Sequence, residues 1–180
     1  MNLSYSLSPD ALLVTANAPT ETIHVSLALD ASQQAAIDAT RKAFAKACRH
    51  AMSVGRRLGT TSNAVMHRQC YQALRAAFGL NANLAVRALA RAAQGLKDPA
   101  AVETVPASID YDARTLSINP EATAVSLSTV RGRLKHIGLH VGVNARRRLR
   151  AGRVVSAVLR HTPPNQYTLL ISIAPGRSID

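Results

Sequence analysis

From Thr22 to Leu29 the chain reads Thr-Ile-His-Val-Ser-Leu-Ala-Leu, with Ile23, Val25, Leu27 and Leu29 on one parity. That two-residue period predicts a half-buried strand. The period then changes. Asp30 followed by Gln33 is a capping-box pattern that opens a helix. Ile37, Phe44, Cys48, Ala51 and Met52 recur along one side of it toward Gly55 or Gly59. A second helix takes its N-cap from Thr60-Thr-Ser-Asn63, carries a stripe of Val65, Met66, Gln69, Cys70, Ala73, Leu74 and Phe78, and closes at Gly79. Asn81 or Asn83 caps a third, with Leu84, Ala85, Ala88, Leu89, Ala92 and Leu96 inward and a stop at Gly95 and Asp98-Pro99. The stripes are rich in alanine, so the three helices can approach closely as an antiparallel bundle.

Beyond a connector at 100–108, strand patterns resume at 109–111, 115–119, 125–130 and 133–141, with turns at Asp112-Ala-Arg114, Asn119-Pro-Glu121 and Arg131-Gly132. Arg133 and Lys135 share parity with Ile137, Leu139 and Val141, so a bulge is expected near His136 or Gly138. An arginine-dense insert, Asn144-Ala-Arg-Arg-Arg-Leu-Arg-Ala-Gly-Arg153, interrupts the run. Val154 to His161 and Tyr167 to Ile173 then alternate around Thr162-Pro-Pro-Asn-Gln166 as a hairpin. Strands this short imply a small, strongly bent sheet, because a flat one would leave too much edge unpaired. The expected fold class is therefore α+β: a small bent β-barrel (21–30 and 100–175) with a three-helix bundle (31–99) inserted after its first strand. Residues 1–20 show no sustained period and are expected to be a mobile extension, with a tail at 176–180.

Charge narrows the class of partner. The 180 residues hold 22 Lys plus Arg against 10 Asp plus Glu, a formal charge of +12. Such self-repulsion is offset by binding a polyanion. Nucleic acid leads and a membrane surface follows. Most of the cations are arginine, whose planar fork suits phosphates and guanine edges. Cys48 and Cys70 fall on apolar helix faces without CxxC spacing and read as buried thiols; with His136 and His140 they lack the spacing of a known zinc module. The N-terminus has no basic region followed by a long apolar run, and no stretch reaches the roughly 20 apolar residues of a membrane span. A cytoplasmic, nucleoid-associated protein is expected, without membrane contact.

A resemblance carries the reading further. Thr22-Ile-His-Val-Ser-Leu-Ala-Leu-Asp30, Gly59-Thr-Thr-Ser-Asn63, His67 and Tyr71 with Leu74-Arg75, Phe78-Gly-Leu80 and Leu84-Ala-Val-Arg-Ala-Leu89 appear in order. Ile109-Asp-Tyr-Asp-Ala-Arg-Thr-Leu-Ser117 and Val125-Ser-Leu-Ser-Thr-Val-Arg-Gly-Arg133 follow. The series, over about 21–173, resembles the N-terminal half of TnpB, the transposon-encoded RNA-guided nuclease related to the type V CRISPR effectors. In that family this half is a wedge domain, an oligonucleotide-binding-type barrel, with a helical recognition domain inserted after its first strand. The resemblance implies guide RNA and target double-stranded DNA as partners, and possible roles in silencing or antiviral defence.

The chain departs from the family at its end. Members continue into a RuvC-type nuclease domain with three metal-binding acids, whereas this sequence stops at Asp180. One terminal carboxylate cannot hold two metal ions, and Asp110 and Asp112 are expected to sit in turns paired with local arginine. No catalytic residue, metal ligand or cofactor is therefore assigned. The chain is expected to bind without cutting, as a fragment, as a nuclease-less relative, or as the partner of a separate RuvC-type nuclease subunit or a second copy of itself.

Candidate RNA-binding residues are Arg131, Arg133 and Lys135, alternating along one side of a strand, and Arg146, Arg147, Arg148, Arg150 and Arg153 on a helical turn capped by Asn144. Successive side chains on one strand face stand roughly 6.6–7 Å apart, comparable to successive phosphates. A solvated charged face is the plainer reading, set against the scarcity of interleaved acids. By the resemblance, Thr61, Asn63, Asn81 and Asn83 at helix starts, with His67 and Arg87 one turn in, are candidates for reading a short DNA motif beside the target. Ser, Thr and Asn are also ordinary caps, and His67 and Tyr71 can be simple packing. With no Trp, two Phe and four Tyr, a base-stacking single-strand binder is disfavoured. An enzyme built on isolated Ser, His and Asp has no supporting motif. The alternative is a basic structural or assembly RNA-binding protein.

Overall fold

The structure, a computed structural model, describes residues 20–98 and 108–175. Most of the expected N-terminal extension, most of the 100–108 connector and the 176–180 tail lie outside the described residues. Strand β1 (Glu21–Ala28) is followed by helices α1 (Ala31–Arg57), α2 (Asn63–Phe78) and α3 (Ala82–Lys97). Strands β2 (Ile109–Asp112), β3 (Leu116–Ile118), β4 (Ala124–Thr129) and β5 (Gly132–His140) come next. Helix α4 (Val143–Ala151) then leads into β6 (Gly152–Thr162) and β7 (Gln166–Pro175).

The strands form one antiparallel sheet in the order β2-β6-β7-β1-β5-β4-β3. Its two edge strands, β2 and β3, are consecutive in the chain and joined by only three residues. An extended chain spans at most about 3.6 Å per residue, so the sheet must curl until its edges meet. Two bonds show the approach: the Tyr111 hydroxyl on β2 donates to the Ser128 carbonyl on β4 at 3.2 Å, and the Ser128 N–H donates to the Thr115 carbonyl at 2.8 Å. The result is a nearly closed barrel filled by Ile23, Val25, Leu127, Ile137, Leu159, Leu169 and Ile171, each at most 3% exposed. Tyr111 is fully buried, and burial raises its phenol above the ordinary tyrosine value.

The helical unit forms largely as its local signals dictate. Asp30 and Gln33 complete the capping box in both directions, at 2.8 and 3.1 Å. Ser62 caps α2 and Asn81 caps α3, and Gly79 ends α2 at φ +65°, a conformation glycine adopts without a Cβ penalty. Two expectations need correction. Gly95 does not stop α3, which runs on to Lys97, because Gly95 is buried in a packed stretch where tertiary contact outweighs the helix cost of glycine. Gln69 and Ala73 are exposed, since α2 buries only Met66, Cys70 and Leu74.

The helices are fastened to one end of the barrel. Gln34 Nε2 donates to Asn165 Oδ1 in the β6–β7 turn at 3.1 Å, and the Tyr167 hydroxyl on β7 donates to Asp38 at 2.9 Å. Thr40, fully buried on α1, accepts from the Val130 N–H in the β4–β5 turn at 3.1 Å. On α3, Arg91 makes a forked pair with Asp110 of β2, its Nε donating at 2.8 Å, while Nη1 donates to the Ser108 carbonyl at 2.9 Å. Asp110 thus lies in a strand and pairs across 19 residues, not with a local arginine. Asp112 instead accepts from the Arg114 and Thr115 backbone N–H groups and closes the β2–β3 turn. No helix among the described residues is long and apolar enough to cross a membrane.

Candidate nucleic-acid interface

Strand β5 organises the basic residues. The β4–β5 turn is held by Thr129, whose hydroxyl accepts from the Arg131 N–H at 3.1 Å and donates to the Gly132 carbonyl at 2.7 Å, with Gly132 at φ +102°. Arg131 is therefore in the turn and not on the strand, which begins at Gly132. Arg133 and Lys135 follow on the exposed face. Between the pairs Leu127↔Leu134 and Val125↔Ile137 the strand holds one extra residue, and His136 sits there at φ +56°. This is the expected bulge. It reverses the parity, so that Ile137 and Leu139 turn into the barrel while Arg133, Lys135, His136 and His140 all face outward.

Past the end of β5, α4 starts at Val143 with Gly142 as its N-cap and no side-chain cap bond. The expected cap, Asn144, lies inside the helix. The helix begins earlier because the Gly142 carbonyl already accepts from the Arg146 N–H at 2.9 Å. Only Leu149 is buried, anchoring α4 on the barrel end opposite the three helices. Arg147 and Arg150 are exposed, as is Arg153 at the start of β6. Arg146 is half-buried, with its Nε enclosed and lacking a hydrogen-bond partner.

The candidates differ in availability. Arg148 pairs with Glu21, and Arg133 donates to Ser117 Oγ at 2.8 Å, Ser128 Oγ at 3.4 Å and the Arg114 carbonyl at 3.3 Å. Among the described residues no ion pair involves Arg131, Lys135, Arg147, Arg150 or Arg153. Arg131 and α4 stand at opposite ends of β5, roughly 25 Å apart at the usual strand rise. The arginines are thus not one patch but two ends of a track, joined by Lys135, His136 and His140. From Ala113 to Ser178 the only acid is Glu121, so little on this wall opposes a polyanion.

The residues expected to read DNA scatter. Asn81 spends its Oδ1 on the α3 cap, accepting from the Leu84 N–H at 2.9 Å. Thr61 and Asn63 are exposed before and at the start of α2, and Asn83 is half-buried in the first turn of α3. His67 is exposed and stacks on Tyr71 with centroids 4.5 Å apart, and Arg75 lies 5.9 Å from the Tyr71 ring centre on the same helix. Arg87 is half-buried with its Nε enclosed and unpartnered. One candidate from each set does meet: Asn81 and Arg133 both line a cleft of about 430 Å³ between the α2–α3 junction and the β4–β5 hairpin. Arg75 lines it too, and sequence reasoning passed over it as a site residue.

Arg75 belongs to a stretch whose charge is plain in the sequence, though nothing in it marks this one arginine. Between Asp38 and Asp98 there is no acidic residue at all, although half of the 22 Lys plus Arg lie there. The helical unit is as cationic as the barrel wall. No three His, Cys, Asp or Glu side chains among the described residues come together as a metal site. Cys48 and Cys70 are both buried, and burial pushes the Cys48 thiol up to about 12, so it stays protonated and a poor ligand.

No family model matches the chain, and no curated protein matches it either. Geometry and charge point to nucleic acid, and the guided part of the reading comes from the resemblance in the sequence.

Proposed function

We propose that this chain is the guide-RNA-binding and target-DNA-recognising module of a TnpB-like, type V CRISPR-like RNA-guided system. It reads a short motif beside the target. The observation that carries this is the basic track on β5 and α4, where Arg131, Lys135, Arg147 and Arg150 face solvent with no ion pair among the described residues. A backbone laid along it would span roughly four nucleotides at 6–7 Å per phosphate. Contacts there are to phosphate and 2′-hydroxyl groups, which suits a scaffold RNA recognised by shape. The cleft beside Arg75, Asn81 and Arg133 is where the helical unit and the wall could grip one nucleic acid together.

The test is purification from the native host followed by sequencing of bound RNA. One enriched small RNA with a constant scaffold and a variable end is the expected result. A random mixture of cellular RNA would overturn the guided reading and leave the basic structural or assembly protein in its place.

A further inference from the structure

The outer face of α1 belongs to neither the β5 track nor the cleft. Lys42, Lys46, Arg49 and Arg56 are all exposed, with Ser53 among them. At 100° per residue these positions fall within an arc of about 80°, opposite the stripe of Ile37, Thr40, Phe44, Cys48 and Ala51 that faces the core. The stripe runs about 21 Å along the helix at 1.5 Å per residue. None of the four cations has an ion pair among the described residues. Helix surfaces that merely keep a protein in solution usually mix signs at i, i+4, and from Thr40 to Lys97 this unit carries no acid.

We infer that this face is a second, sequence-independent seat for the backbone of double-stranded DNA. The chemistry of the face selects among polyanions. Between the cations stand Ala45 and Ser53, exposed Arg57 adds a cation beside them, and the ring of exposed His50 at the rim leans on Phe78 with centroids 5.7 Å apart, so the face offers no open aromatic platform of the kind that holds single strands. Nor does the face carry the large apolar residues with which an interfacial helix enters a membrane. A helix about 10–12 Å across matches the major groove of B-form DNA, about 12 Å wide, whereas the major groove of duplex RNA is too narrow to admit it. Thr40, on the opposite side of α1, is the residue bonded to the β4–β5 turn, so the face points away from that hairpin. Duplex here and RNA on the barrel wall do not compete for the same atoms. The inference extends the reading above and rests on it only in taking nucleic acid as the partner.

The experiment compares the full chain with a Lys42→Gln, Lys46→Gln, Arg49→Gln, Arg56→Gln variant. The sites are exposed and glutamine is a good helix former, so circular dichroism and the thermal midpoint should not move. Binding of a random-sequence 30-base-pair DNA duplex and of a single-stranded RNA is measured against salt. The variant should lose about 3.6 from the slope of log K against log salt for the duplex, at about 0.9 per phosphate contact, while RNA binding is retained. An unchanged duplex slope overturns the inference, as does a wild-type chain that binds RNA and ignores the duplex. The guided reading survives both outcomes. Vesicles of phosphatidylserine and phosphatidylcholine form a further arm: loss of vesicle binding in the variant, with duplex binding intact, assigns the face to lipid and overturns the inference.

Discussion

Arg91→Ala is expected to lower the unfolding free energy by about 2–3 kcal/mol, below the 3–5 kcal/mol typical of breaking a fully buried pair, because both side chains keep some contact with water. Exposure is 22% for Arg91 and 18% for Asp110. Three elements lose a contact at once. The guanidinium lies 5.2 Å from the centre of the Phe44 ring on α1, forks onto Asp110 of β2 and donates to the Ser108 carbonyl. The substitution strands the Asp110 carboxylate and uncovers a fully buried ring. Urea unfolding should show a midpoint about 1 M lower, taking a slope of about 2 kcal/mol/M. Asp110→Ala should cost less, because Arg91 keeps the ring and the carbonyl. If the Arg91 and Asp110 single variants and their double variant add without coupling, the helical unit is not fastened to the barrel at this point.

Replacing Arg131, Lys135, Arg147, Arg150 and Arg153 together by glutamine should abolish most RNA binding at physiological salt while leaving the fold intact. These five are exposed and make no ion pair among the described residues, so removing their charge orphans no partner. Arg133 and Arg148 are kept because their guanidinium groups serve the barrel itself. For a single strand each phosphate contact contributes about 0.7 to the salt slope, so five contribute about 3.5. Between 50 and 200 mM salt that amounts to about 100-fold of the affinity change, which the variant should no longer show. Filter binding at several salt concentrations checks it. An unaltered slope would place the RNA elsewhere on the molecule.

What could be read in the sequence was local in origin. The alternation that begins at Thr22, the Asp30 and Gln33 box, the Gly79 stop and the bulge at His136 each depend on a few neighbouring residues, and each stands where the pattern put it except that β1 ends at Ala28, one residue short of Leu29. What could not be read depends on residues far apart. No local pattern says that Arg91 meets Asp110, or that Arg133 bonds to β3, to β4 and to the β2–β3 turn. The length of β5 sets the two arginine clusters at opposite barrel ends, which spacing in the chain does not reveal. Side chains with two uses were also ambiguous: Asn81 fits a cap and a base edge equally well until its Oδ1 is seen accepting from the Leu84 N–H. The acid-free span from Thr40 to Lys97 was legible, but only the cleft singles out Arg75 among its eleven cations.

Ultraviolet crosslinking of bound RNA, with the crosslinked peptides identified by mass spectrometry, tests the central claim most directly. The account predicts adducts concentrated in the β4–β5 turn, along the outward residues of β5 and on α4. Adducts confined to β2, β3 or the outer residues of β7, with the β5 and α4 peptides unmodified, would contradict it.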